Sequence, residues 1–345
     1  MSRQYRVLAL MHPSLVPPDS LEGHSEKEIH QWKTEFDVVA TLRGLGHDVR
    51  ALGVQYELQP IRDAVETWKP DVVFNMLEEF HGETTFDQNV ASYLELLRVP
   101  YTGCNPRGLI IARGKALSKK LLAYHRIRVP AFAVFPRARK VRRPPRLGFP
   151  LIVKSLIEHA SVGIAKASVV ENDEKLAERV AFVHNRIGTD AIAEQFIEGR
   201  ELYVAVLGNN RLKVMPTWEL AFGKMSASEP QIATEKVKHD PDYQDRMGIL
   251  QGPAQDLPPA VVNAIPRLTK RIYRILELDG YARIDFRLSP EGQLFFLEAN
   301  PNPEIAAREE FAQSALHIDI HYPELLQRIL RLGIQRAAIA TGSDE

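Results

Sequence analysis

Two short alternating segments near the C-terminal end constrain the fold more than any other part of the chain. Residues 281–288 and 294–303 alternate apolar with polar side chains, and the Ser-Pro-Glu-Gly run between them is typical of a turn. The two segments are therefore predicted to form a β-hairpin. If the connection leaves an even number of residues unpaired, Asp285 lies on the same sheet face as Glu298 and Asn300.

That cluster of oxygen-bearing side chains indicates a metal site. Crowded carboxylates raise each other's pKa unless a cation lies between them, and an all-oxygen set suits Mg²⁺, which also binds phosphate oxygens. Arg283, next to Asp285 on the same face, would supply a fixed positive charge to a phosphoryl or acyl transition state. The alternative is the solvated face of an ordinary hairpin, where Asp, Glu and Arg are common.

Bulk composition excludes several classes of protein. The 345 residues, 45% of them hydrophobic, are enough for two or three domains. Lys and Arg number 44, as do Asp and Glu, so no nucleic-acid or anionic-membrane surface is indicated. The first apolar run, Val7–Met11, is too short for a signal peptide or a membrane span, and a cytoplasmic location is expected. The single cysteine, Cys104, excludes an internal disulfide and is interpreted as a packing residue.

The N-terminal third is predicted to form a parallel sheet covered by helices. Strands at 5–11, 47–54 and 71–77 alternate with helical segments, in a βαβαβ order. No G-x-G-x-x-G follows the first strand and no G-x-x-x-x-G-K-[ST] occurs, so a Rossmann cofactor or a P-loop ATPase is not expected. The loops 12–18 and 78–82 follow strands and are substrate-loop candidates, with plain surface as the alternative.

Further along the chain, the pattern predicts long helices and two irregular segments. A capping box at Ser25-Glu-Lys-Glu28 and helical spacing of apolar residues predict one helix as far as Leu42. A basic helix is expected over 107–125. The Pro/Arg-rich run 137–146 is interpreted as a solvated connector rather than an RNA contact, because no aromatic residues are interleaved. The polar stretch 223–243 has the length of an active-site lid.

Several segments in order resemble one family. Arg283-Ile-Asp-Phe followed by Leu297-Glu-Ala-Asn300 resembles the metal-binding end of ATP-grasp ligases, in particular the D-alanine:D-alanine ligase branch. The further matches lie between about Val99 and the last helix: Lys115 in Gly-Lys-Ala-Leu-Ser-Lys-Lys, Phe149-Pro-Leu-Ile-Val-Lys154, Ser161-Val-Gly163 and Glu194-Gln-Phe-Ile-Glu-Gly-Arg-Glu201.

The resemblance implies a fold of the α/β class, built in three parts as an α+β ATP-grasp protein. The expected parts are an N-terminal parallel α/β substrate domain at 1–104, a central subdomain at 105–197 and a C-terminal catalytic subdomain at 198–345. The two α+β subdomains would clamp ATP. The resemblance alone also suggests a homodimer.

The resemblance also implies roles for individual residues. Lys115 and Lys154 would contact phosphate. Glu194 would contact the adenine amino group, and the backbone near Phe196 and Ile197 would contact the edge of the ring. Glu201 would bind the ribose. The expected nucleotide-binding set is therefore Lys115, Lys154, Glu194, Phe196, Ile197 and Glu201. The expected ligands of Mg²⁺ or Mn²⁺ are Asp285, Glu298 and Asn300. The expected catalytic residues are Arg283, Ser161 and Lys236, with Lys238 as the alternative lid lysine.

The implied reaction joins a small carboxylate, such as an amino acid, to an amine, with ATP activating the carboxylate as an acyl phosphate. A non-catalytic or regulatory ATP-binding protein of the same fold is the alternative, and a bicarbonate-using carboxylase component is disfavoured. The chain departs from the family after Asn300. In the family, a serine-containing segment at this place holds the incoming carboxylate, whereas this chain has the segment Glu304 to Phe311. Arg308 is a candidate to compensate, and Glu22 or Glu78 to hold the ammonium group of the first substrate.

Overall fold

A computed structural model describes residues 3–158, 163–223, 232–234, 237 and 241–341. The N-terminal sheet is parallel, as predicted, with the strand order β2-β1-β3. Its strands are β1 (Arg6–Met11), β2 (Asp48–Gly53) and β3 (Val72–Asn75). Strand β1 is buried on both faces, which explains its unbroken apolar sequence.

Four helices accompany this sheet: α1 (Glu26–Gln31), α2 (Lys33–Gly44), α3 (Gln59–Asp63), which a π-helical turn at Ala64–Trp68 continues, and α4 (Asp87–Leu96). The capping box forms, because Ser25 and Glu28 bond reciprocally. The single helix predicted as far as Leu42 is wrong in one respect. The backbone leaves helical geometry at Trp32, whose ring is buried between His24 and Phe36.

The helix predicted over 107–125 is two helices, α5 (Pro106–Arg113) and α6 (Lys115–Tyr124), separated by the non-helical Gly114. Both pack against the large C-terminal sheet through side chains such as Leu109 and Leu122. The break places Lys115 in the first turn of α6, where its side chain is buried.

A second, four-stranded sheet has the order β4-β7-β5-β6 and is antiparallel throughout. Its strands are β4 (Phe132–Phe135), β5 (Leu151–Ser155), β6 (Val169–Val170) and β7 (Ala191–Gln195). Helix α7 (Asp173–Phe182) and its π-helical extension Val183–Ile187 contribute to a separate core with this sheet. The connector 137–146 precedes β5, and Arg143 within it pairs with Asp173.

The third sheet is the largest and carries the predicted hairpin. Its main path is β11-β10-β8-β12-β13, with β9 paired to β8. Its strands are β8 (Arg200–Leu207), β9 (Lys213–Val214), β10 (Trp218–Phe222), β11 (Ile249–Pro253), β12 (Tyr281–Leu288) and β13 (Leu294–Pro301). Helices α8 (Pro241–Met247), α9 (Pro259–Ile275), α10 (Glu310–Leu316) and α11 (Tyr322–Thr341) complete the described structure. Short 3₁₀ turns lie at Pro13–Leu15, Thr84–Phe86 and Lys166–Ser168.

The apolar faces of the N-terminal sheet and of the largest sheet are buried in shared cores. Even-numbered residues of β12, such as Ile284 and Phe286, face the core that also contains α9 and the helices α5 and α6. The odd-numbered residues face the opposite side, where the candidate site lies. No helix in the described ranges is long and apolar enough to cross a membrane. The proposed boundaries at 104 and 197 remain predictions.

Candidate active site

The hairpin places the predicted oxygen donors together. Asp285 lies directly opposite Glu298, and Arg283 lies opposite Asn300. Directly opposed residues of antiparallel strands project from the same face. Asp285, Glu298 and Asn300 therefore share one face beside Arg283.

A β-bulge produces this register. The turn between the paired residues Leu288 and Leu294 leaves residues 289–293 unpaired, an odd number that on its own would turn Glu298 to the opposite face from Asp285. The register shifts between Phe286, which pairs with Phe296, and Asp285, which pairs with Glu298. Leu297 is thus the extra residue, and it restores the even count on which the grouping depends.

Arg283 is held at the centre of the face by two carboxylates. Its Nε and Nη2 donate to the two oxygens of Asp285 at 2.7 and 3.0 Å, and Nη1 donates to Glu310. The guanidinium also lies 4.7 Å from the ring centroid of Tyr203. Burial alone would lower the pKa of Arg283, but the Asp285 carboxylate outweighs burial and raises it. Arg283 is therefore a fixed, permanent positive charge.

The donor set fits a hard divalent cation. Mg²⁺ in nucleotide enzymes is usually held by one or two carboxylates together with substrate phosphates. Among the described residues, no group of three His, Cys, Asp or Glu side chains is placed to hold a metal ion. A cation at this face would rely on Asp285, Glu298, the amide of Asn300 and phosphate oxygens. In the structure, the Asn300 amide nitrogen donates to Asp285 at 3.0 Å, and Lys115 Nζ lies 3.8 Å from Glu298.

Two buried lysines, Lys115 and Lys119, and the partly buried Lys154 converge next to the hairpin. Lys119 Nζ lies 3.0 Å from Glu194, and Lys154 Nζ lies 3.3 Å from the other oxygen of that carboxylate. Lys115 donates to the backbone oxygen of Glu158, and Lys119 donates to that of Leu297, the bulge residue. A positively charged wall thus faces the carboxylates of the hairpin, as phosphate binding requires.

Burial and the local carboxylates set the pKa values of these lysines. Burial lowers the pKa of Lys115 to about 8, partly offset by Glu298. Burial also lowers the pKa of Lys119. Burial would lower the pKa of Lys154 as well, but the carboxylates of Glu194, Glu298 and Glu201 together outweigh burial and raise it. Burial would raise the pKa of Glu194, but Lys119 and Lys154 together hold it below its usual value.

One cleft brings the predicted nucleotide residues together with the hairpin. Its walls come from helix α6, the four-stranded sheet and the largest sheet. The predicted residues that line it are Lys115, Lys154, Glu194, Phe196, Ile197, Glu201, Asp285 and Glu298. Two apolar residues of the segment 232–234, Ile232 and Ala233, also line the cleft. The predicted residues Ser161 and Lys236, and the alternative Lys238, lie outside the described residues.

Two functional candidates escaped the sequence analysis. Arg287 lines the cleft and pairs with Glu201 at 3.0 Å, so the predicted ribose carboxylate is already oriented by an arginine and by Tyr203. Lys119 sits four residues after Lys115, on the same helical face. The sequence carried a signal for each. Arg287 continues the alternation of Arg283 and Asp285, and Lys119 follows Lys115 at helical spacing.

The N-terminal loops meet the segment that follows the hairpin. His12 Nε2 lies 3.5 Å from Glu79, so the loops after β1 and β3 are neighbours. Glu78 is open to solvent but surrounded by protein, and this confinement, with Glu304 nearby, raises its pKa to about 7. Burial likewise raises the pKa of Glu35 to about 7, with contributions from Glu78 and Glu304. Glu35, Glu78 and Glu304 lie close enough to influence one another's ionisation, and they are called the acidic cluster here.

Comparison with known proteins agrees with this arrangement. The family model described as "D-ala D-ala ligase C-terminus" matches residues 121–331. The D-alanine–D-alanine ligase of Bordetella petrii is 34% identical over 266 residues, which cover 75% of this chain and 75% of that protein. The enzyme of the same name from Nitratidesulfovibrio vulgaris strain DP4 is 31% identical over 317 residues, covering 89% and 96%.

A solved structure shows the same fold. The D-alanine–D-alanine ligase of Bacillus anthracis, complexed with ATP, superposes with a TM-score of 0.74 at 21% identity, covering 97% of this chain and 99% of that one. The family model spans more than half of the chain, and the relatives extend the match over most of its length. The chain therefore belongs to the D-alanine–D-alanine ligase family, with the ATP-grasp fold.

Proposed function

We propose that this protein joins a carboxylate to an amine by way of an acyl phosphate, with small amino acids as the substrate class. Its family makes it an ATP-dependent ligase that forms carbon–nitrogen bonds. The γ-phosphoryl group would pass from ATP to a carboxylate oxygen and release ADP. The amine would then attack the acyl carbon and expel phosphate, leaving an amide bond.

The observation that supports this proposal best is the register of the hairpin. Asp285 faces Glu298, Asn300 bonds to Asp285, and Arg283 lies across from Asn300. Lys115 approaches the same carboxylates from the opposite wall of the cleft, at 3.8 Å from Glu298. Acidic donors facing buried lysines suit a polyanionic nucleotide bound with a divalent cation.

The residues of the chain have separable tasks in this scheme. Lys115 and Lys154 would bind phosphate oxygens, and Glu194 and Glu201 the adenosine, with backbone groups near Phe196 and Ile197. Asp285, Glu298 and Asn300 would hold Mg²⁺, which when bound neutralises charge on the transferred phosphoryl group. Arg283 would stabilise the oxyanion formed when the amine attacks. Ser161 and Lys236 are proposed by resemblance to contact the phosphates.

The acidic cluster suits the amino group of the carboxylate substrate. Glu78 and Glu304 are both exposed, and Glu304 follows strand β13 by only a few residues. An ammonium group placed among Glu35, Glu78 and Glu304 would stabilise their ionised forms, which burial and neighbouring carboxylates disfavour by raising their pKa values. The attached carboxylate would then point toward the hairpin.

The test measures phosphate release from ATP and Mg²⁺ with a panel of D- and L-amino acids, and identifies dipeptides by mass spectrometry. ADP and dipeptide should form in equal amounts. Hydroxylamine added in place of the acceptor should trap the acyl phosphate as a hydroxamate. A non-catalytic nucleotide-binding protein would release no phosphate with any amino acid. Dipeptide formation without a trappable intermediate would contradict the acyl-phosphate step.

Arg283→Lys is expected to lower turnover by about 10²- to 10³-fold, because a lysine ammonium lacks the fork that holds Asp285 and the oxyanion together. ATP affinity, measured by calorimetry, should stay within a few-fold of wild type. Arg142→Lys, an exposed position in the connector 137–146, is the matched control. Turnover of Arg283→Lys equal to that of the control would remove Arg283 from the proposed mechanism.

A further inference from the structure

Lys119 lies behind the wall of the nucleotide cleft rather than on its surface. Its side chain is fully buried, with 0% of its area exposed. Lys115 and Lys154 line the cleft, whereas Lys119 is not among the described residues that line it. Lys119 therefore reaches a bound nucleotide through the residues that it contacts and not directly.

The first contact of Lys119 is with Glu194 on strand β7. Lys119 Nζ lies 3.0 Å from one oxygen of that carboxylate, and Lys154 Nζ lies 3.3 Å from the other. Each carboxylate oxygen has two lone pairs, so the two ion pairs leave acceptor capacity for the amino group of a base. Because Glu194 is 1% exposed, its ionised form and its orientation depend on these two lysines. Lys119 thus orients the carboxylate that is proposed to accept from adenine.

The second contact of Lys119 is with the bulge of strand β13. Its ammonium group donates a hydrogen bond to the carbonyl of Leu297, the extra residue, and Nζ lies 5.6 Å from the ring centroid of Phe296. Leu297 separates Phe296 from Glu298, the residue that the bulge places opposite Asp285. The charged donor therefore stabilises the irregular backbone on which the proposed metal site depends.

We propose that Lys119 is a positioning residue that couples recognition of the base to assembly of the metal site. One ammonium group joins Glu194, at the base end of the cleft, to Leu297, at the metal end. The inference rests on the proposed function, because the tasks of Glu194 and Glu298 come from it. Loss of this ammonium group disturbs both ends of the bound nucleotide at once. Loss of a lysine that binds only phosphate weakens binding without changing the choice of base.

The experiment measures equilibrium binding of ATP and of ITP by calorimetry, with Mg²⁺ and without amino acids. ITP carries a carbonyl oxygen where ATP carries the amino group, so the ratio of the two dissociation constants reports on recognition of the base. Wild-type protein should bind ATP more tightly. In Lys119→Met this preference should fall by about tenfold or more, because the hydrogen bond from the base to a charged group is misdirected. The Mg²⁺ concentration that gives half-maximal ATP binding should rise by a similar factor.

Lys119→Gln separates the two contacts. Its amide can still donate to the Leu297 carbonyl but carries no charge to pair with Glu194. The preference for ATP over ITP should therefore fall as in Lys119→Met, while the Mg²⁺ dependence should stay closer to that of wild type.

Two further lysine variants serve as comparisons. Lys115→Met should weaken ATP and ITP alike and leave their ratio unchanged, because phosphate is common to both nucleotides. Lys120→Met removes the exposed neighbour of Lys119 on helix α6 and is the matched control, which should change neither the ratio nor the Mg²⁺ dependence.

Both dissociation constants come from the same sample, so partial unfolding of a variant lowers the number of binding sites without changing the ratio. The inference requires both effects in Lys119→Met. A ratio or a Mg²⁺ dependence that stays at the wild-type value in this variant would overturn it, as would equal affinity of wild-type protein for ATP and ITP. Failure of wild-type protein to bind ATP with Mg²⁺ would instead refute the proposed function on which the inference rests.

Discussion

Among single residues, Glu194 has the most demanding environment. Its carboxylate is 1% exposed and lies between two lysine ammonium groups, at 3.0 Å from Lys119 and 3.3 Å from Lys154. A buried charge without partners is strongly unfavourable, so each of these three groups depends on the others for its ionised state. Besides the adenine contact implied by resemblance, Glu194 thus orients Lys154 at the wall of the cleft.

Glu35 gives a prediction about stability and pH. Burial raises its pKa from 4.5 to about 7 in the folded protein. The folded protein therefore retains a proton that the unfolded chain releases between these values, and stability falls as the pH rises through this window. Glu35→Gln removes the titration, so the variant should exceed wild type in unfolding free energy by about 1–3 kcal/mol at pH 8. The two proteins should be nearly equal at pH 4.

Urea denaturation at the two pH values measures the effect. Glu26→Gln, at an exposed position on helix α1, is the control and should show no pH-dependent difference. An equal change for Glu35→Gln at pH 4 and pH 8 would show that the carboxylate is not the titrating group.

At the scale of elements, the bulge in strand β13 decides what the site contains. It turns Glu298 to the face of Asp285 and exposes the Leu297 carbonyl to Lys119. Strand alternation in the sequence predicts both strands and both polar faces, but the relation between the faces depends on one unpaired residue. Because Leu297 is apolar and continues the strand pattern, nothing in the local sequence marks it as the extra residue.

Exchanging the bulge residue with its neighbour, by the double substitution Leu297→Glu and Glu298→Leu, should strongly lower amino-acid-dependent ATP turnover while the sheet is retained. The carboxylate would then lie on the unpaired residue and would no longer lie opposite Asp285. Deleting Leu297 is the control and should retain more turnover, because Glu298 would take the place of Leu297 in a regular ladder and remain opposite Asp285. Phosphate release and circular dichroism of both variants give the comparison. Wild-type turnover of the exchanged variant would contradict the role of the bulge.

The helices show a similar limit on sequence-based prediction. Apolar spacing predicts helical segments at 25–42 and 107–125, and both are helical for most of their length. It does not predict the breaks at Trp32 and Gly114. The first break coincides with the burial of an aromatic ring in tertiary contacts, which helical periodicity alone does not encode. The cavity lined by Trp218, Gln251 and Gln313 escapes sequence-based prediction for the same reason, because its walls come from elements far apart in the chain.

At the scale of the whole molecule, helix α11 joins the N-terminal sheet to the hairpin of β12 and β13. Arg336 on this helix pairs with Asp279 at 3.1 Å and donates to the carbonyls of Gly103 and Tyr101 at 2.6 and 2.8 Å. Gly333, one turn earlier, allows the close approach, because a Cβ atom there would lie 2.4 Å from the Tyr101 oxygen. Asp279 in turn lies two residues before the start of strand β12.

Arg336→Met should lower the unfolding free energy by about 3–5 kcal/mol, because Asp279 would lose its ion pair and two carbonyls a hydrogen bond in a mostly buried place. Arg328→Met on the same helix removes an exposed pair with Glu324 and should cost less than about 1 kcal/mol. Urea denaturation of both variants tests the difference. Equal losses would show that the junction contributes no more than a surface ion pair.

The helix α11 also has a consequence for how this protein is made. Its residues Leu325, Leu326 and Ile329 belong to the same core as Val7 and Ala9 of the first strand. During translation the first strand emerges more than 300 residues before the helix that covers it. Helix α2 contributes to that core early, but the part of the sheet face that α11 contacts stays uncovered until translation is almost complete. We expect the nascent chain to need chaperone protection during that interval.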